Sequence, residues 1–107
     1  MESKKVQLIR ECSQKKELDF TPHSLEQINK RKIDIEKVRE AVAEGKMIEK
    51  QDQERDVKIL FQEFTDGKPE FAVSVSATIP PRVVTVYRFY EEKWEYDPST
   101  KIMKRRN

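Results

Sequence analysis

The sequence has few of the residues that metal sites, disulfides and phosphate-binding loops require. A single cysteine, Cys12, excludes an intramolecular disulfide, and together with the single histidine, His23, it cannot complete a structural zinc site. The two glycines, Gly45 and Gly67, lie too far apart for a Walker loop and are too few for a dinucleotide-binding fingerprint. We therefore expect no cofactor and no metal, and we expect any catalysis to rest on side chains alone.

Long apolar runs are missing as well, and charged residues outnumber hydrophobic ones, at 39% against 36%. No run approaches the roughly 20 apolar residues of a membrane helix. A lone thiol suits a reducing compartment, so we expect a cytoplasmic protein without membrane contact. The 22 basic and 20 acidic residues nearly cancel, which favours a folded domain with a charged surface over a disordered chain.

Helical periodicity dominates the first half of the chain. We predict a helical leader with a helix over about residues 3–15. A second helix has Thr21 as its N-cap and Pro22 in its first turn, and Leu25 and Ile28 face the core. A third helix begins after Asp34 and ends at a glycine, and its buried stripe comprises Ile35, Val38 and Val42.

From residue 47 the apolar period changes to two, which is typical of strands with one buried face. The predicted strands cover residues 47–53, 57–62, 71–79 and 82–90. Short turns between them favour antiparallel neighbours. The sequence thus predicts an α+β fold in which two or three N-terminal helices pack on a roughly four-stranded antiparallel meander sheet. We place the helical leader at 1–19, the domain at 20–97 and a basic C-terminal tail at 98–107.

Polar residues at helical spacing form the first candidate site. His23, Gln27 and Arg31 follow one another at four-residue steps along the second helix. The positive end of the helix dipole disfavours imidazolium, so His23 would be a neutral ring that accepts a proton beside a cation. The alternative interpretation is a solvated helix face with a histidine near its cap.

The far face of the predicted sheet forms the second candidate site. Lys58, Thr85 and Tyr87 would share this face with strand serines, and such a surface holds phosphate oxygens. Arg82 and Arg88 would contact a nucleic-acid backbone, although the net charge is only +2. The alternative interpretation is an ordinary solvated sheet face, where Ser, Thr and Tyr are common.

Three short motifs in a fixed order resemble those of a family of small bacterial domains of unknown function. They are T-x-H at residues 21–23, R-x-I at 31–33 and V-V-T-V-Y at 83–87. The family looks related to the RelE, ParE and BrnT toxins. The resemblance implies a RelE-like fold, with helices packed against a small antiparallel sheet.

The same resemblance implies an activity. Nucleases of this wider group cut RNA without metal, through attack of the 2′-hydroxyl. The residues that it implies as catalytic are His23, Arg31, Thr85 and Tyr87, and strand geometry adds Lys58. A base and the phosphate that it serves must lie within hydrogen-bond reach, so His23 and Arg31 must come near Thr85 and Tyr87.

RNA and a small antitoxin-like protein are the partners that this hypothesis implies. The competing hypothesis is a non-catalytic protein-binding module that uses the sheet face or an exposed edge strand.

Overall fold

Helices precede the long strands of the sheet, as the sequence predicts, and the fold is α+β. The computed structural model describes residues 2–53 and 56–106. In chain order its elements are α1 (Lys4–Gln14), β1 (Asp19–Phe20), α2 (Pro22–Lys30), α3 (Ile35–Glu44), β2 (Met47–Gln53), β3 (Asp56–Gln62), β4 (Phe71–Ser76), β5 (Arg82–Arg88), β6 (Trp94–Asp97) and β7 (Ile102–Arg105).

Each helix begins at a short polar residue whose side-chain oxygen accepts a backbone N–H of the first turn. These N-caps are Ser3, Thr21 and Asp34. Each cap satisfies one of the N–H groups that a helix start leaves without a partner. The predicted positions of the three helices are therefore confirmed. None of the helices in the described part of the chain has both the length and the apolar character to cross a membrane.

The main sheet has five strands in the order β1-β5-β4-β3-β2. Strands β2 to β5 pair antiparallel with their neighbours in the sequence, as predicted. The prediction of a purely antiparallel meander is wrong, because β1 pairs parallel with β5. This strand is only two residues long, Asp19 and Phe20, so no periodicity marks it in the sequence.

The hydrophobic core lies between the helices and one face of the sheet. Val38 and Val42 of α3 and Phe61, Val73 and Val86 of the sheet are fully buried there. The register of β4 and β5 shifts between Ser74 and Val75.

This shift changes which side chains of β5 reach the core. Val83 is fully buried, whereas Val84, which simple alternation assigns to the core, is only half-buried. An extra residue in one strand resets the alternation at that point.

The other sheet face is partly covered by a second, two-stranded sheet formed by β6 and β7. Trp94 and Met103 of this hairpin pack against Leu60 and Ala72 of the main sheet. The buried side chain of Gln62 joins the hairpin to the main sheet through two hydrogen bonds. Gln62 Nε2 donates to the Lys101 carbonyl at 2.8 Å, and Gln62 Oε1 accepts the Met103 N–H at 3.0 Å. Residues 102–105, which the sequence analysis places in a basic tail, thus form β7.

Helix α2 lies along β5, at the edge of the sheet, rather than over its centre. Ile28 is buried as predicted, but the prediction for Leu25 is wrong, since its exposed fraction is 44%. Ser24 is the fully buried residue of that turn instead. Its hydroxyl donates to the Thr21 carbonyl at 2.8 Å. Because this bond satisfies the hydroxyl, the polar side chain of Ser24 can be buried.

Candidate functional site

All of the predicted site residues except Arg82 line two neighbouring cavities of the described structure. Lys58, Thr85 and Tyr87 line a cavity of about 390 Å³ on the hairpin side of the sheet, which we call the sheet-face cavity. His23 and Arg31 line a second cavity of about 390 Å³ beside α2, which we call the α2 cavity. Tyr90 lines both, so the two cavities adjoin at its ring.

The sheet-face cavity combines positive charge with hydroxyl groups. Its cationic side chains are Lys58, Arg88, Lys93 and Arg105. Its hydroxyl groups come from Ser74, Thr85, Tyr87 and Tyr90. Gln51, Leu60 and Trp94 complete the lining, and none of the described residues in it is a carboxylate. Such a lining suits an anion with several oxygen atoms.

The hairpin supplies one wall of the sheet-face cavity through Arg105 and Trp94. Arg105 binds Glu49 with both arms, Nε to Oε2 at 2.8 Å and Nη2 to Oε1 at 3.2 Å. Its guanidinium lies over the Trp94 ring, 4.5 Å from the ring centroid. The hydrogen bond from Arg105 lowers the pKa of Glu49 below its ordinary value. Arg105 therefore has a fixed orientation at the rim of the cavity.

Tyr87 forms part of the floor of the sheet-face cavity and is half-buried. Burial raises the pKa of its hydroxyl to about 12, against the opposing effect of the nearby Arg105, because the phenolate loses hydration. At neutral pH the group is therefore a protonated phenol, which is able to donate a hydrogen bond to a ligand. It does not serve as a base under those conditions.

Three further cations that sequence analysis singled out have different surroundings. Lys58 lies 3.3 Å from the Asp56 carboxylate in a half-exposed pair, which costs little to separate. Arg88 donates from Nη2 to the Arg31 carbonyl at 2.7 Å, and so connects β5 to the end of α2. Arg82 lines neither cavity and pairs with Asp19 at 3.1 Å.

Side chains from α2 close the edge of β5 at Val86. The Val86 N–H donates to Gln27 Oε1 at 2.8 Å, and Arg31 Nη1 donates to the Val86 carbonyl at 2.6 Å. Two residues that the sequence places on a polar helix stripe thus bind the backbone of the sheet. His23, one turn before Gln27, is exposed and makes no such contact within the described residues.

Comparison with known families gives one match. The sequence profile of the domain of unknown function DUF4258 matches residues 20–88, well over half of the chain. The chain belongs to the DUF4258 family. No curated protein and no solved structure shows significant similarity to the chain. The relationship of DUF4258 to the RelE, ParE and BrnT toxins stays a prediction.

The DUF4258 match ends at the last residue of β5, so α1 and the β6–β7 hairpin lie outside it. Lys93, Trp94 and Arg105, which complete the sheet-face cavity, come from this outer segment and were not predicted as site residues. A signal for them exists in the sequence. The turn residues at 97–101 separate two short segments, and a hairpin there places Trp94 opposite Arg105.

Metal ligands are not grouped in the described part of the chain. No cluster of three or more His, Cys, Asp or Glu side chains there has the spacing to hold a metal ion.

Proposed function

We propose that this DUF4258 protein binds RNA through its phosphate groups in the sheet-face cavity, as a metal-independent ribonuclease of toxin type or a degenerate relative of one. The observation that carries the proposal is the lining of that cavity, where the residues that the structure describes supply cations and hydroxyls but no carboxylate. Lysine, arginine and hydroxyl side chains are the usual partners of phosphate oxygens. Four cations line this cavity although the net charge of the whole chain is only +2, and two of them, Lys58 and Arg105, pair with the carboxylates of Asp56 and Glu49.

Cleavage would follow the chemistry of 2′-hydroxyl attack. The 2′-oxygen bonds to the adjacent phosphorus and gives its proton to a base, while the 5′-oxygen leaves and takes a proton from an acid. The products are a 2′,3′-cyclic phosphate and a 5′-hydroxyl. Cations in the sheet-face cavity are placed to stabilise the charge on the phosphorane.

The proposed reaction needs a base that accepts the proton of the 2′-hydroxyl. Tyr87, with its pKa at about 12, keeps its proton at neutral pH. His23 is the remaining candidate, and it lines the adjoining α2 cavity. His23 therefore acts only on a phosphodiester bound where the two cavities meet.

The binding experiment uses the purified protein, a fluorescently labelled single-stranded RNA and a chelator, with anisotropy as the readout. We expect the Lys58→Gln, Lys93→Gln double variant to bind about tenfold more weakly at low salt, because two phosphate contacts are lost. The matched control changes Lys37 and Lys4, two exposed lysines outside the sheet-face cavity, to Gln, and should bind within about twofold of the native protein. Equal binding by both double variants would contradict the proposal.

The cleavage experiment follows the same RNA on a denaturing gel in chelator. Fragments with cyclic phosphate ends, lost in His23→Ala, would establish the nuclease. Intact RNA with binding retained would identify a degenerate relative that binds without cutting.

The alternative is a protein-binding module, and one observation favours it. Strand β2 is the outer strand of the sheet on the side away from α2, and its backbone edge is available for pairing with an added strand. A small acidic antitoxin-like protein that binds there without affecting RNA binding would support this second function. Growth arrest on expression, relieved by such a partner, would instead support the toxin.

A further inference from the structure

Tyr90 is an exposed aromatic side chain at the meeting point of three cavities. It lies just after β5, outside the DUF4258 match, and its exposed fraction is 55%. It lines the sheet-face cavity, the α2 cavity and a third cavity that includes Lys68, Glu70 and Glu91. Its position between three cavities, rather than its exposure alone, invites a functional explanation.

The backbone that carries this ring is fixed. The Tyr90 carbonyl accepts the N–H groups of Lys93 and Trp94, both at 3.0 Å. The preceding residue, Phe89, donates its N–H to the Glu70 carbonyl at 2.9 Å and packs edge-on against Trp94, with ring centroids 4.9 Å apart. A ring on a fixed backbone loses little conformational entropy when it stacks on a ligand.

The charged residues around Tyr90 indicate which of the three cavities an anionic chain would occupy. On one side lies the sheet-face cavity, where the described lining residues include four cations and no carboxylate, although Lys58 and Arg105 pair with Asp56 and Glu49 beside it. The α2 cavity sets Lys30 and Arg31 against one carboxylate, Glu26. In the third cavity, the cations Lys68 and Arg88 face the two carboxylates Glu70 and Glu91, and Lys68 pairs with Glu91 at 3.7 Å. A polyanion is therefore best accommodated from the sheet-face cavity, past Tyr90, into the α2 cavity.

We propose that Tyr90 is a base-stacking platform for single-stranded RNA, with the flanking phosphates in the sheet-face and α2 cavities. This inference rests on the proposed function and adds its substrate class. A duplex keeps its bases stacked on each other, so only an unpaired base presents a face to the ring. Stacking on an aromatic side chain tolerates any base, because every base has a π face.

The test measures binding of short single-stranded RNA in chelator by anisotropy for three variants. Tyr90→Ala should bind about tenfold more weakly, whereas Tyr90→Phe, which keeps the ring, should stay within about twofold of the native protein. The matched control is Phe64→Ala, which removes an aromatic ring of similar exposure, 52%, away from all three cavities. That control should bind as the native protein does. Duplex RNA of the same length should bind more weakly than the single strand and should not respond to Tyr90→Ala.

A second readout reports stacking itself. An RNA with 2-aminopurine at one position loses fluorescence when that base stacks, so native protein should quench it and Tyr90→Ala should not. The direction of the strand is tested with Lys30→Gln, which should weaken binding, against Lys68→Gln, which should not.

The outcomes separate this inference from the proposed function. Absence of RNA binding by the native protein overturns both. Native binding that Tyr90→Ala leaves unchanged, without quenching of 2-aminopurine, overturns the stacking platform and leaves the phosphate site standing. Equal affinity for duplex and single strand also overturns the platform. Unchanged Trp94 emission in Tyr90→Ala verifies that the variant is folded.

Discussion

Arg31 illustrates how one side chain serves the fold at a position that also suits a catalytic role. Its motif implies a cation for a phosphate, yet its guanidinium donates to the Val86 carbonyl at 2.6 Å. The side-chain oxygen of Gln27 accepts a hydrogen bond from the N–H of Val86. The position that the resemblance assigns to a catalytic cation is therefore explained in part by the need to attach α2 to the edge of β5.

This dual possibility gives a prediction about stability. Arg31→Ala should lower the free energy of unfolding by about 1–3 kcal/mol, the usual effect of losing a hydrogen bond from a charged donor. His23→Ala, one of the same set of motif residues but exposed, should change it by less than about 0.5 kcal/mol. Urea denaturation of both variants measures this. An Arg31→Ala protein with native stability and no RNA binding would assign Arg31 to the ligand instead.

Gly45 shows a second residue whose role differs from its sequence signal. A glycine after a helix predicts the left-handed conformation, but Gly45 has φ −69° and ψ 161°, which any residue adopts. Its place is fixed by close approach, because a Cβ there would lie 2.1 Å from the Gln62 carbonyl oxygen and 2.4 Å from that of Ala41.

The two glycines of the chain therefore respond oppositely to the same substitution. Gly45→Ala should destabilise the protein by at least about 2 kcal/mol, because two backbone segments must separate. Gly67→Ala, where nothing lies within 4 Å, should be neutral or slightly stabilising. Thermal melting of the two variants compares them directly, and similar melting temperatures would contradict the close packing of α3 on β3.

At the scale of elements, the β6–β7 hairpin is held to the sheet partly by acid-sensitive contacts. Glu49 binds Arg105, and its pKa is lowered first by that hydrogen bond. Within the hairpin, hydrogen bonds from Ser99 and Lys104 lower the pKa of Asp97, and the Asp97–Lys104 contact holds β6 to β7. A carboxylate with a lowered pKa in the folded state contributes stability above its unfolded-state pKa, and this stability is lost as the pH falls through the folded value.

Acidification below roughly pH 4, the ordinary range of carboxylates, should thus loosen the hairpin. Trp94 is the single tryptophan and is buried at this interface, so its emission should shift to longer wavelength as the hairpin opens. Glu49→Gln should show the shifted emission already at neutral pH and a smaller change with acid. If the emission maximum stays constant as the pH is lowered until the whole protein unfolds, the hairpin does not open locally.

The sequence predicted the elements whose signals are local and missed those that depend on distant partners. N-caps such as Thr21 are readable from neighbours in the chain, and this one was confirmed. The alternation over 71–79 located a strand correctly, but β4 ends at Ser76, Ile79 is exposed, and both faces of the strand are buried because the hairpin covers the second one. Strand β1 is a strand only because β5 lies beside it, and the burial of Ser24 in place of Leu25 follows from where α2 sits on the sheet. Lys58, Thr85 and Tyr87 were placed on one face correctly, because strand parity fixes it, despite the bulge in β5.

For the whole molecule, charge distribution matters more than net charge. The 22 basic and 20 acidic residues nearly cancel, yet four cations converge on the sheet-face cavity. Binding to single-stranded nucleic acid weakens with salt in proportion to the phosphates neutralised, so the logarithm of the binding constant should fall with the logarithm of salt concentration with a slope of about −3. Anisotropy titrations at several salt concentrations give this slope. A slope near zero would mean that the cavity does not hold phosphates.

The closed edge at Val86 also decides how copies of this chain associate. Pairing between sheets requires unoccupied backbone groups, and in the described structure β2 is the one long strand that offers them, since β1 has two residues and β5 is capped by Gln27 and Arg31. Two copies that join through β2 across a twofold axis leave no further long edge of the main sheet for a third copy. Self-association through the main sheet therefore ends at a dimer and does not continue into a fibre.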